Sequence, residues 1–154
     1  MEIIKGGVTA AKGFCAAGLN AGIKNNEKKD MAMVYSEKPC VTAGTFTTNK
    51  VFAAPVKWDK DIVANSPFAQ AVVVNSGVAN ACTGKEGDDA CAAEAKAVSE
   101  ALQVPESAVL VASTGVIGAQ LPMDKICAGI KEPWQFIRAW HTGGRSHYDD
   151  RYRG

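Results

Sequence analysis

Two apolar runs of strand character flank one helical period between Gln70 and Gly118, and that order confines the chain to the α/β class. "QAVVVNSG" carries Val72, Val73 and Val74 in succession, as in a strand covered on both faces, and stops at a small polar turn. "SAVLVASTGVIG" repeats the arrangement, with an apolar run ending in Ser113, Thr114 and Gly115. Between them, "GDDACAAEAKAVSEALQVP" sets Cys91, Ala95, Val98 and Leu102 at i, i+4, i+7 and i+11, so the four share one helix face. Asp88 and Asp89 suit the positive end of that helix, and Pro105 stops it. "LPMDKICAGIK" opens a further helix near Pro122 or Asp124.

Upstream the signals are shorter. "GGVTAAKGFCAAGLNAGIK" is broken by glycines and reads as short strands joined by tight turns. Met31, Met33 and Tyr35 alternate, which predicts a half-buried strand ended by Pro39. "VTAGTFTTNKVFAAPV" is rich in Thr, Val and Phe and predicts a strand pair or a kinked strand. At 154 residues the chain has one domain's length.

A formal net charge of +1 argues against a general nucleic-acid binder. No run reaches the roughly 18 apolar residues of a membrane span, and "MEIIKGG" has no secretory pattern. The 5 cysteines, Cys15, Cys40, Cys82, Cys91 and Cys127, are odd in number and far apart, with no CxxC pair. They predict reduced, mostly buried thiols in a cytoplasmic protein.

Candidate chemistry collects at the two polar strand ends. A turn at Ser113-Thr114-Gly115 lets backbone N–H groups project, Gly115 has no Cβ to keep a ligand away, and the Thr114 hydroxyl adds a donor. Such donors can hold the oxyanion of an acyl-transfer intermediate, but the same triplet makes ordinary turns and caps. "NSGVAN" offers Asn75, Ser76 and Asn80 as pocket residues or as local backbone caps. Thr45, Thr47, Thr48 and Asn49 read as strand filling. His141 and His147, beside Asp149 and Asp150, lack zinc-site spacing, and no metal site is expected. Residues 1–131 contain no histidine, which removes histidine acid–base catalysis from that stretch.

In combination, "GGVTAAKGFCAAGLNAGIK", "GTFTTNKVFAAPV", "AVVVNSGVANACTG" and "VLVASTGVIGAQLPMDKI" resemble ornithine acetyltransferase (glutamate N-acetyltransferase) over residues 2–131. Val78 departs from the pattern, which commonly has asparagine there. The resemblance implies an αββα sandwich similar to N-terminal-nucleophile hydrolases. It implies an acyltransferase of arginine biosynthesis that moves acetyl from N-acetylornithine to glutamate. Some members also use acetyl-CoA as a co-substrate, and no other cofactor is expected. The family precursor cleaves itself into α and β chains that form α/β heterotetramers. The β-chain N-terminal threonine is the nucleophile, with its own amino group as base. Thr114 and Gly115 match the family's oxyanion-hole residues; the nucleophile matches nothing in this chain.

The resemblance stops at Lys131, and residue usage changes there. Residues 132–154 contain no lysine but hold Arg138, Arg145, Arg151, Arg153, both histidines, Trp134 and Trp140. Thr142 lacks the flanking cleavage pattern. The expectation is residues 1–131 as the N-terminal part of an α chain and 132–154 as an unrelated tail after a change of reading frame. Such a chain is inactive alone. The alternative is a genuine ending on a truncated, non-catalytic paralogue that docks on a full-length enzyme.

Overall fold

The computed structural model describes residues 7–25 and 27–131. A 3-10 turn at Val8–Ala10 leads into β1 (Phe14–Leu19) and β2 (Met31–Cys40). Then come α1 (Ala54–Asn65), β3 (Ala69–Val78), α2 (Gly84–Leu102), a 3-10 turn at Glu106–Ala108 and β4 (Val109–Val116). A third helix, α3, occupies residues 123–131. The strands form one sheet in the order β1-β2-β3-β4. The first two pairings are antiparallel, and β3 and β4 are parallel, with α2 as the crossover between them.

Burial alternates along β3, with Ala69, Ala71, Val73 and Asn75 buried and the residues between them partly open. The buried row meets Cys91, Ala95, Val98 and Leu102 of α2, together with Ile126 and Ile130 of α3. The predicted α2 face is thus the one that packs. The expected cover on both faces of β3 and β4 is not met, because Val72, Val74, Leu110 and Ala112 stay half-buried. An apolar succession records burial on one face and partial shelter on the other, and cannot separate that from full cover.

Three local expectations change. The strand pair or kinked strand expected through "VTAGTFTTNKVFAAPV" is absent: residues 41–53 form no strand, and α1 begins at Ala54. Pro55 sits in its first turn, where a missing N–H costs nothing. Trp58, three residues on, donates from Nε1 to Val109 O at 2.9 Å and ties the helix to β4. Second, β2 runs through Pro39 to Cys40, with its register irregular between Tyr35 and Cys40, where a missing N–H is tolerated. Third, α2 starts at Gly84, so Glu86 rather than Asp88 lies in the first turn. It ends where Gln103 turns left-handed at φ 59°, two residues before Pro105.

Candidate functional site

The two polar strand ends are not turns. β3 continues through Asn75, Ser76 and Gly77, and β4 through Ser113, Thr114 and Gly115, as paired strand. Ser76 stands opposite Thr114 and Gly77 opposite Gly115, so motifs 38 residues apart in sequence become neighbours. Gly77 has φ 122° and Gly115 φ 139°, values that side chains other than glycine rarely adopt. A Cβ on Gly115 would strike the carbonyl group of Gly77. The close approach therefore requires glycine, and it lets the ladder persist where the sequence predicts a stop. Thr114 and Gly115 lie exposed near the end of β4, a strand at the sheet edge among the described residues.

The asparagines of the first motif do structural work. Asn80, buried, donates from Nδ2 to Gly87 O at 2.9 Å and to Cys91 Sγ at 3.3 Å. Its Oδ1 accepts from the Thr83 hydroxyl at 2.6 Å. A Cβ on Gly87 would run into Thr83 Oγ1 and Asn80 Oδ1, so "ANACTGKEG" is a knot joining β3 to the start of α2. Asn75 is 0 % exposed and donates from Nδ2 to Val78 O at 3.0 Å. Neither carboxamide is held out toward solvent: Asn80 is bonded into the start of α2, and Asn75 also faces inward. Thr45, Thr47, Thr48 and Asn49 are exposed, and the Asn49 N–H donates to Thr47 Oγ1 at 3.1 Å.

Asp30 was not a sequence candidate, yet it builds one wall of the corner. It is 2 % exposed, and its carboxylate accepts from the Ala21 N–H at 2.7 Å and the Lys24 N–H at 2.9 Å. Its carbonyl accepts from the Ser76 N–H at 2.7 Å. The loop so pinned lies on Gly77, where a Cβ would press on Ile23 and Lys24. The available signal was an acid at the mouth of a strand, a few residues after the turn-forming Asn20, Gly22 and Asn25.

The strongest electrostatic perturbations lie in the helical layer. Burial pushes the Glu94 carboxyl up to about 8. Asp59 rises to about 6, again by burial, against the lowering effect of the Val111 N–H that it accepts. Burial, followed by the nearby carboxylates of Glu94, Asp59 and Asp88, pushes the Cys91 thiol up to about 12. A thiol that holds its proton so firmly is no nucleophile at neutral pH. A groove of about 550 Å³ runs along α1 and α2, lined by Phe52, Lys57, Trp58 and Cys91 among others, and it includes neither Thr114 nor Gly115. Among the described residues no group of three His, Cys, Asp or Glu side chains could hold a metal. His141, His147, Asp149, Asp150 and Thr142 lie outside the described residues.

Comparison with known proteins gives this corner a context. The chain is 52% identical over 125 residues to the arginine biosynthesis bifunctional protein ArgJ of Gloeobacter violaceus, covering 81% of this chain and 31% of that protein. It is 50% identical over 131 residues to the protein of the same name from Caldanaerobacter subterraneus, covering 85% and 32%. The chain thus spans about a third of the length of these relatives, 31% and 32%. A crystal structure of ArgJ from Bacillus halodurans superposes with a TM-score of 0.79 at 46% identity, over 82% of this chain and 66% of that one. Ornithine acetyltransferase from Mycobacterium tuberculosis, solved with ornithine, gives 0.80 at 45%, over 84% and 69%. These neighbours have the N-terminal-nucleophile-hydrolase-like fold, and the sheet with its helical layer corresponds to part of it. The model of the ArgJ family matches residues 15–144, past Lys131. A match over so much of the sequence means that the chain belongs to the ArgJ family.

Proposed function

We propose that this chain is the N-terminal part of the α chain of a glutamate N-acetyltransferase of the ornithine acetyltransferase type, with Thr114 and Gly115 as its oxyanion hole. The observation that carries the reading is the Gly77–Gly115 corner, which presents Thr114 and Gly115 at the exposed end of β4. In the reaction, the threonine hydroxyl of a β chain adds to the acetyl carbonyl of N-acetylornithine. The resulting oxyanion takes hydrogen bonds from the Thr114 hydroxyl and the Gly115 N–H. Collapse breaks the C–N bond, ornithine leaves as the amine with the proton taken from threonine, and an acetyl-threonyl ester remains. Glutamate's amine then takes the acetyl group and the hydroxyl is restored. Acetyl-CoA is a second acetyl donor in the bifunctional form.

The nucleophile and its amino base belong to the partner β chain, and the whole assembly is an α/β heterotetramer in the cytoplasm. Donors without a nucleophile stabilise a charge that nothing generates. The purified chain is therefore expected to give no acetyl transfer from N-acetylornithine to glutamate above a Thr114→Ala control. Transfer above that control by the chain alone would overturn its inactivity. A reconstituted assembly in which Thr114→Ala leaves kcat intact would overturn the oxyanion role. The change of residue usage after Lys131 carries the reading of residues 132–154 as the product of a frame change, while the family match runs on to residue 144 and stands against it. Resequencing codons 125–160 tests this: another frame that resumes the α chain supports it, and none that does so removes it.

A further inference from the structure

Two buried polar atoms beneath the glycine corner have no hydrogen-bond partner among the described residues: Asn75 Oδ1 and Ser113 Oγ. They belong to register partners on the parallel strands β3 and β4. Residues two apart share a sheet face, so both follow the row begun by Val73 and Val111, each 0 % exposed. The orientation of the Asn75 amide is settled by chemistry. Nδ2 donates to Val78 O at 3.0 Å, and a flipped amide would set oxygen against oxygen. Oδ1 is thus an inward-facing acceptor in need of a donor.

Going up this face, the cross-strand pairs are Val73 with Val111, Asn75 with Ser113, then Gly77 with Gly115. The glycine pair contributes no side chain, and Ile23, Lys24 and the Gly77 backbone close the row there, so a ligand of the polar pair must lie between Asn75 and Ser113 themselves. Neighbouring strands stand about 4.8 Å apart. One water with two hydrogen bonds of about 2.8 Å spans such a gap, and buried polar groups in folded chains are nearly always satisfied.

We propose that Asn75 Oδ1 and Ser113 Oγ bind a single buried water, and that this bridge positions the Thr114–Gly115 backbone. The water donates one hydrogen to the carboxamide oxygen and bonds the serine hydroxyl with its other side. Ser113 immediately precedes Thr114, so the bridge anchors the end of β4 to an asparagine that is itself fixed to Val78. Asn75 and Ser113 are positioning residues, and the bridge stands whether or not Thr114 and Gly115 form an oxyanion hole.

The first test is a crystal structure of the chain at a resolution that shows ordered water. A peak within hydrogen-bond distance of both atoms, lost in the apolar isostere Asn75→Leu, is the expected result. An empty site, or Ser113 Oγ donating directly to Asn75 Oδ1, overturns the proposal. Amide hydrogen exchange on Ser113→Ala gives a second reading that survives a failure of the asparagine variant to fold. Exchange at Thr114 and Gly115 is expected to rise roughly tenfold while Val109, Leu110 and Val111 hold their protection. No change, or an equal rise along all of β4, overturns the positioning role.

Discussion

Gly115 shows how much one missing methyl group can decide. Its φ of 139° and its contact with the Gly77 carbonyl group both exclude a side chain. Gly115→Ala is expected to destabilise the chain by about 3 kcal/mol, read by denaturant unfolding, because backbone rather than a flexible side chain must yield. A loss under about 0.5 kcal/mol would mean that the strands can part there at no cost. Glu94 is the opposite case, a residue the fold tolerates at a penalty. It is 0 % exposed, and neither carboxylate oxygen has a partner among the described residues. Its carboxyl rises from 4.5 to about 8, so the folded chain keeps a proton that the unfolded chain gives up. Stability from this group is complete below pH 4.5 and falls as pH climbs through about 8. The full loss is on the order of 5 kcal/mol, at 1.36 kcal/mol for each pH unit between the two values. Glu94→Gln is expected to raise the melting temperature at pH 8 and to flatten its decline between pH 5 and 8. An unchanged slope would place the titration elsewhere.

Among the elements, α2 was the most legible and α1 the least. The period of Cys91, Ala95, Val98 and Leu102 is long enough to outweigh local preference, and all four residues are buried. α1 carries only Pro55 and Ile62 as fully buried residues, and strand-favouring Thr, Val and Phe precede it. Those residues lie mostly in an exposed loop, because β propensity amounts to a preference for packing that this loop never receives. The loop over residues 20–25 shows a similar dependence on one distant side chain. Asp30 accepts two of its backbone N–H groups at 2.7 and 2.9 Å from a nearly sealed position. Asp30→Ala is expected to cost about 3 kcal/mol, since bonds to a charged acceptor are worth roughly 1.5–3 kcal/mol each and are not additive. Proteolysis should then begin near Gly22. Cleavage that starts elsewhere would show that the loop has other anchors.

For the molecule as a whole, the exposed Val116 and Ile117, at 65% and 66%, mark the end of β4 as unfinished surface in this chain. Val72, Val74, Leu110 and Ala112 leave the sheet face opposite the core partly open. Apolar surface of this kind calls for further packing. The purified chain is expected to self-associate, with size-exclusion profiles that shift with concentration; a single monomeric peak at all concentrations would contradict this. The sequence by itself determined the layered α/β class, the packing face of α2 and the two polar motifs, because each is written in spacings shorter than about 20 residues. Only the tertiary structure decided that the motifs lie side by side, that they are strand rather than turn, and that Asn80 locks a helix while Asp30 pins a loop. Those outcomes depend on which distant backbone stands opposite each residue. Strand register and a positive φ at two glycines settle that, and neither is visible in one chain's local pattern.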